Sequence, residues 1–160
     1  MKKFRVYAAL VIAVMMFGIV FSACGSSAAK DVPVADVVEA VSKAVGKTDL
    51  ADPGESYVKG YMKKSAAEIG DYAIRMNVTG TNIDEFGVFK AGTMTVKELE
   101  TLVNDYLKLR QDGWMDEYMP EEKPKLMNAE VKTLGDYVMY AILSEADCAA
   151  ANDAFESALK

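Results

Sequence analysis

The chain contains no histidine, and its 160 residues include only two cysteines, four prolines and one tryptophan. The absence of histidine excludes the usual general base, the usual zinc ligand and every serine–histidine or cysteine–histidine pair. We therefore expect no metal, no cofactor and no catalytic residue, and we expect that the protein is not an enzyme.

Basic residues are also scarce, because 18 lysines and arginines stand against 24 aspartates and glutamates, which gives a formal net charge of −6. An acidic surface repels nucleic acid and anionic lipid head groups. No basic stripe with interleaved aromatic residues offers a phosphate-binding face. Nucleic acid is therefore not an expected partner.

The N-terminus combines a basic tip (Lys2, Lys3 and Arg5) with an apolar run over residues 6–20 and small residues before a cysteine. This organisation is typical of an export signal. Ser22-Ala23-Cys24 resembles the end of the bacterial lipobox, although Phe21 stands where leucine is usual. We expect residues 1–23 to be removed, Cys24 to carry lipid such as palmitate, and residues 24–33 to form a flexible tether. The alternative is an uncleaved membrane-spanning anchor, for which the run is nearly long enough.

Removal of residues 1–23 leaves 137 of the 160 residues, the ordinary size of one domain, and shifts the formal charge from −6 to −9. If Cys24 is lipidated, Cys148 has no partner for an intrachain disulfide. We expect its thiol to be buried as a small apolar group.

The first half of the mature chain predicts one helix and a hairpin. Valines recur at helical spacing between Pro33 and Gly46. Residues 47–70 predict a turn followed by one or two short helical segments. Alternation over residues 71–77 and an apolar run over residues 86–91, separated by turn residues, predict two antiparallel strands.

The second half predicts helix, strand, strand and helix. Thr95 and Glu98 match a capping box at the start of the longest helix, whose apolar stripe runs on to Trp114. After a proline-rich loop, residues 126–133 and 137–143 predict two strands, the latter central in the sheet, and Ser144 begins the last helix. Residues 34–160 are therefore predicted to form a single α+β domain. It has an N-terminal helix and an antiparallel sheet of about four strands with helices packed on it, in the order strand-strand-helix twice.

Three groups of residues carry a resemblance to a known family: the strand Glu85–Ala91, then Trp114, Tyr118 and Pro120, and finally Gly135–Val138. The family that they resemble is one of small Gram-positive bacterial lipoproteins, the domain of unknown function forty-three fifty-eight. The similarity covers most of the mature chain. It implies an exported, lipid-anchored domain and transfers no catalytic residue.

Four residues on or beyond the long helix form a candidate binding groove: Tyr106, Arg110, Trp114 and Tyr118. At helical spacing they would line an aromatic surface for a peptide or a glycan. In the alternative, which we favour, the aromatic rings close one end of the core. The aliphatic part of Arg110 then packs along these rings, and its charged guanidinium reaches the solvent.

Together these features predict a membrane-anchored extracytoplasmic lipoprotein, held at the cell membrane by lipid on Cys24. Its expected role is that of a binding or accessory module of the cell envelope, with an envelope protein, peptide or glycan as partner. The alternative is a hydrolase that acts on an envelope glycan with carboxylates alone. A pocket with two buried carboxylates would favour that alternative.

Overall fold

The structure is a computed structural model that describes residues 29–160. The predicted signal peptide and the lipidation site Cys24 lie outside the described residues. The elements follow in the order α1 (Val34–Val45), β1 (Leu50–Ala51), α2 (Glu55–Tyr61), α3 (Ala66–Ile69), β2 (Asp71–Asn77), β3 (Glu85–Lys90), α4 (Val96–Asp112), α5 (Lys123–Met127), β4 (Glu130–Leu134), β5 (Tyr137–Ile142) and α6 (Glu145–Leu159).

The five strands form one sheet in the order β1-β2-β3-β5-β4, and every neighbouring pair is antiparallel. The predicted α+β class and N-terminal helix are confirmed. The sheet has one strand more than expected, because the two-residue β1 pairs with β2 at the edge. The central strand is β3, and β5 lies beside it rather than in the middle.

Helices cover both faces of the sheet. Phe86 and Val88 point from β3 toward α1 and α6, where the valines of α1 pack against Phe155. Phe89 points the other way, into a second core formed with α2, α3, α4 and α5. Because both faces are covered, every residue of β5 is buried, which explains its nearly continuous apolar sequence.

Helix α4 begins as predicted, since the Thr95 side chain accepts a hydrogen bond from the Glu98 amide and the Glu98 carboxylate accepts one from the Thr95 amide. The helix ends at Asp112, however, because the low-propensity Gly113 follows it. The prediction that the helical stripe continues to Trp114 is therefore wrong. Trp114 and Tyr118 lie in the turns after the helix.

The strand predicted over residues 126–133 is also partly wrong. Residues 123–127 form α5, which carries Pro124 in its first turn, and strand β4 begins only at Glu130. Proline fits a helix N-terminus because the amide that it lacks has no partner there. Leu126 is fully buried against the α4 side of the sheet.

Residues 29–33 pack against the rest of the domain. Ala29 and Val32 pack against the core formed by α1 and α6, and the Tyr137 hydroxyl contacts both backbone polar groups of Val32. These contacts place residues 29–33 on the domain rather than in the predicted flexible tether.

Candidate functional site

Strand β3 is preceded by Asp84 and begins with Glu85, and both carboxylates are buried, with 2% and 0% of their surface exposed. A buried charge is stable only when it is paired and hydrogen-bonded. The two neighbours satisfy this requirement with different partners.

Glu85 receives hydrogen bonds on both carboxylate oxygens. Tyr106 donates its hydroxyl to Oε1 at 2.5 Å, and Tyr140 donates to the same oxygen. Arg110 donates Nη1 to Oε2 at 2.8 Å, and the Tyr57 hydroxyl lies 3.3 Å from that oxygen. Because its members come from α2, α4, β3 and β5, with two of them on α4, the cluster joins four elements.

Arg110 connects this Glu85 cluster to the surface. Its Nη1 also lies 2.7 Å from the Tyr57 hydroxyl and 2.6 Å from the Tyr106 hydroxyl, and its guanidinium lies over the Tyr106 ring. Only 18% of its side chain is exposed. The expectation that Arg110 raises its charge to water is therefore corrected, since the charge pairs with a buried carboxylate instead.

The electrostatics of the cluster keep the three phenols neutral. Burial raises the pKa of Tyr57, Tyr106 and Tyr140, and the negative charge of Glu85 raises each further. For Arg110, burial acts to lower the pKa, but Tyr106 and Glu85 together raise it more, so that the net shift is upward. The neutral phenols therefore donate to the Glu85 carboxylate, and Arg110 pairs with the same carboxylate.

The four residues of the predicted groove divide into two pairs. Tyr106 is 1% exposed and lies with Arg110 inside the Glu85 cluster, so it does not line a groove at the surface. Trp114 and Tyr118 contact each other, with ring centroids 6.4 Å apart, and Tyr118 is 51% exposed. Within residues 29–160 the buried Trp114 Nε1 has no hydrogen-bond partner.

Asp84 forms a second charged cluster, which sequence reasoning missed. Its carboxylate lies 2.7 Å from Lys47 and 2.8 Å from Lys125. Lys125 also pairs with Glu122, and Lys47 with Asp147 at the start of α6. The sequence signal was the pair of acidic residues that directly precedes the apolar part of β3, but their partners lie tens of residues away.

A half-open cleft of about 790 Å³ lies beside this second cluster, between α5, the start of β4 and the start of α6. Its lining includes Lys125, Glu130, Ser144, Glu145 and Cys148. Both glutamates are exposed. Burial raises the pKa of the Cys148 thiol, which disfavours a reactive thiolate.

Residues 29–160 contain neither a membrane-spanning helix nor a cluster of side chains suited to a metal ion. No helix in this range is both long enough and apolar enough to cross a membrane. In the same range, no group of three or more histidine, cysteine, aspartate or glutamate side chains is arranged to hold a metal ion.

The fold and these side chains define a three-layer α+β domain with a buried carboxylate cluster and a polar cleft at one end of its sheet. The chain belongs to the family described as Domain of unknown function (DUF4358), whose model matches residues 62–143, just over half of the chain. No curated protein and no solved structure matches the chain. Glu85, Tyr106, Arg110 and Tyr140 all fall within the matched range, whereas Tyr57 precedes it.

Proposed function

We propose that the protein is a lipoprotein, anchored by lipid on Cys24 and facing outside the cytoplasm at the cell membrane of a Gram-positive bacterium. The observation that carries this proposal is Ser22-Ala23-Cys24 at the end of an apolar run with a basic tip.

The domain acts as a binding or accessory module of the envelope, and the cleft is its binding site. The volume of the cleft, about 790 Å³, falls in the range of ordinary ligand sites. Leu143 and Ala149 give it an apolar part, whereas Glu130 and Glu145 give it negative charge. Among the described residues neither glutamate pairs with a lysine or an arginine. A peptide or protein segment that presents a basic side chain fits this lining best.

Intact-mass analysis of the protein extracted from membranes tests the anchor. We expect a chain that begins at Cys24 and carries acyl groups, and a Cys24→Ala variant that fails to receive lipid. Recovery of an unmodified Cys24 with residues 1–23 still attached would replace the lipoprotein proposal with the transmembrane alternative.

Charge reversal tests the cleft. The double variant Glu130→Lys, Glu145→Lys should lose retention of a fluorescent lysine-containing peptide by the detergent-extracted protein, because the cleft then repels a basic side chain. The matched control is Glu117→Lys, Glu121→Lys, which makes the same charge change at exposed positions outside the cleft. Equal loss in both variants would mean that only net charge matters and that the cleft is not the site.

A carboxylate-only hydrolase is the second candidate function, because Glu130 and Glu145 line the same cleft. General acid catalysis by a carboxyl group requires an environment that keeps its proton, usually burial. Both glutamates are exposed, which ranks this candidate below binding. The ranking would be reversed if the protein released reducing sugar from cell-wall glycan and if Glu130→Gln or Glu145→Gln abolished this release.

A further inference from the structure

We propose that residues 29–32 form an N-terminal clamp that fixes where the lipid tether leaves the domain, so that the cleft is presented away from the bilayer. This inference rests on the proposed lipid anchor at Cys24. It adds an orientation of the domain relative to the membrane, which the anchor alone does not determine.

One buried hydroxyl holds the centre of the clamp. Tyr137 donates its hydroxyl to the Val32 carbonyl at 2.5 Å, and the same oxygen accepts the Val32 amide at 2.8 Å. Tyr137 itself is 1% exposed and lies in β5. Both backbone polar groups of Val32 are thus satisfied by a side chain that the sheet holds rigidly.

The other three clamp residues each have a separate partner. Lys30 donates its amide to the carbonyl of Leu159 at 2.8 Å, at the end of α6. Asp31 pairs with Lys90 at the end of β3. The Ala29 methyl lies against Gly135 so closely that a Cβ at Gly135 would be 2.5 Å from it.

These partners all lie at one end of the sheet, and the cleft lies at the other. In the register of β3 with β5, Lys90 is opposite Tyr137 at the clamp end, and Glu85 is opposite Ile142 at the far end. The cleft is lined by Leu143 and Ser144, which directly follow that far end.

Helix α6 gives the scale of this separation. It runs for 15 residues from Glu145 at the cleft to Leu159 at the clamp. At 1.5 Å per residue the two ends are about 22 Å apart.

The chain between lipid and clamp is short. Five residue steps separate Cys24 from Ala29, and an extended chain spans at most about 3.6 Å per step, or about 18 Å in all. The clamp end of the domain is therefore held near the head groups. The cleft, at the opposite end, faces the space where an envelope partner is found.

Fluorescence quenching by nitroxide-labelled head groups tests this orientation in lipidated full-length protein reconstituted in phosphatidylglycerol vesicles. In a Cys148→Ser background, a dye is attached at Asp136→Cys beside the clamp or at Ala149→Cys in the cleft, both exposed positions. We expect the dye at position 136 to be quenched at least threefold more than the dye at position 149. Equal quenching of the two dyes in vesicle-bound protein would overturn the proposal.

Tyr137→Phe tests the clamp itself, because phenylalanine keeps the ring and removes both bonds to Val32. The expected result is at least tenfold faster hydrogen exchange of the Val32 amide and a smaller difference in quenching between the two dyes. Tyr118→Phe, which removes an exposed hydroxyl, is the matched control and should change neither. Unchanged Val32 exchange in Tyr137→Phe would overturn the clamp.

Flotation of the vesicles separates the two proposals. If the protein does not float with the vesicles, the lipid anchor is wrong and the orientation is wrong with it, whereas Val32 exchange still decides the clamp. If the protein floats but both dyes are quenched alike, the anchor stands and the orientation fails.

Discussion

At the scale of single residues, the most consequential feature is that two consecutive acidic residues, Asp84 and Glu85, are both buried. Asp84 is paired with two lysines and Glu85 with one arginine and three phenols. Removing one partner of a buried ion pair costs more than the pair contributes, because the remaining charge stays buried without compensation. Single substitutions in these two clusters should therefore lower the stability of the domain more than substitutions elsewhere.

Arg110→Met should lower the free energy of unfolding by about 3–5 kcal/mol, since it leaves the fully buried Glu85 carboxylate without its cation. An arginine whose charge reached the solvent would instead contribute no more than about 1 kcal/mol, the scale of an exposed cation–π contact. Urea denaturation measures the difference.

Arg75→Met is the matched control, because Arg75 lies 3.9 Å from the exposed Asp52 and should change stability by less than about 1 kcal/mol. Glu85→Gln added to Arg110→Met should recover part of the loss by removing the unpaired charge. Equal, small losses for both arginine variants would show that the Glu85 ion pair does not matter for stability.

Alkaline titration should reveal Tyr57, Tyr106 and Tyr140 as phenols that do not ionise at pH 11 in the folded protein. Burial and the charge of Glu85 raise the pKa of all three, whereas in the unfolded chain tyrosine ionises near pH 10. Because the folded pKa values are raised, their contribution to stability is complete below about pH 10 and is lost as the pH rises through the folded values.

Tyrosinate absorbance checks this titration. At pH 11 the native protein should show an absorbance change smaller by at least three tyrosines than protein unfolded in urea, because burial raises the pKa of Tyr72 as well. Equal changes in the two samples would contradict the neutral phenol cluster.

At the scale of secondary-structure elements, β3 organises the molecule because helices cover both of its faces. Gly87 is required on the α4 side, where a Cβ would lie 2.5 Å from the Tyr140 ring. The absent side chain leaves the space in which Tyr140 reaches Glu85.

Gly87→Ala should therefore destabilise the domain by about 1–3 kcal/mol, the usual cost of overpacking a core. Thermal or urea unfolding measures the change. Gly92→Ala is the control, because no atom lies within 4 Å of a Cβ built there. If both alanine variants were equally stable, Tyr140 would not be confined as the structure shows.

At the scale of the whole molecule, the sheet joins two apolar cores, and Asp84 connects the loop after α1 with α5 through Lys47 and Lys125. Neither core can lose its helices without exposing one face of β3 and β5. We therefore expect the two helical layers to unfold together.

A chain beginning at Gly25 should show this behaviour as one unfolding transition. Fluorescence of Trp114 reports on the α4 side, and far-ultraviolet circular dichroism reports on all helices, so their urea midpoints should coincide. Two separate midpoints would mean that the α1 and α6 layer is an independent unit.

Local sequence determined the parts of this fold that depend on neighbours along the chain. The valines of α1, the capping box at Thr95 and Glu98, the cap at Ser144 and the existence of strand β2 were all predictable. The reason is that helix caps and periodic apolar faces are satisfied within a few residues. Where the local signal was ambiguous, as for Leu126 or the end of α4, the prediction was wrong.

Only the tertiary structure decided the Glu85 cluster, the cleft and the clamp. Glu85 meets Tyr57 from 28 residues away and Tyr140 from 55 residues away, and Val32 meets Tyr137 across 105 residues. Nothing in residue spacing specifies such contacts, because they depend on strand order and on which helix covers which face. The sequence alone therefore indicated an export signal and an α+β domain. The packing of the layers decided that a carboxylate is buried among phenols. It also decided at which end of the sheet the N-terminal segment leaves the domain.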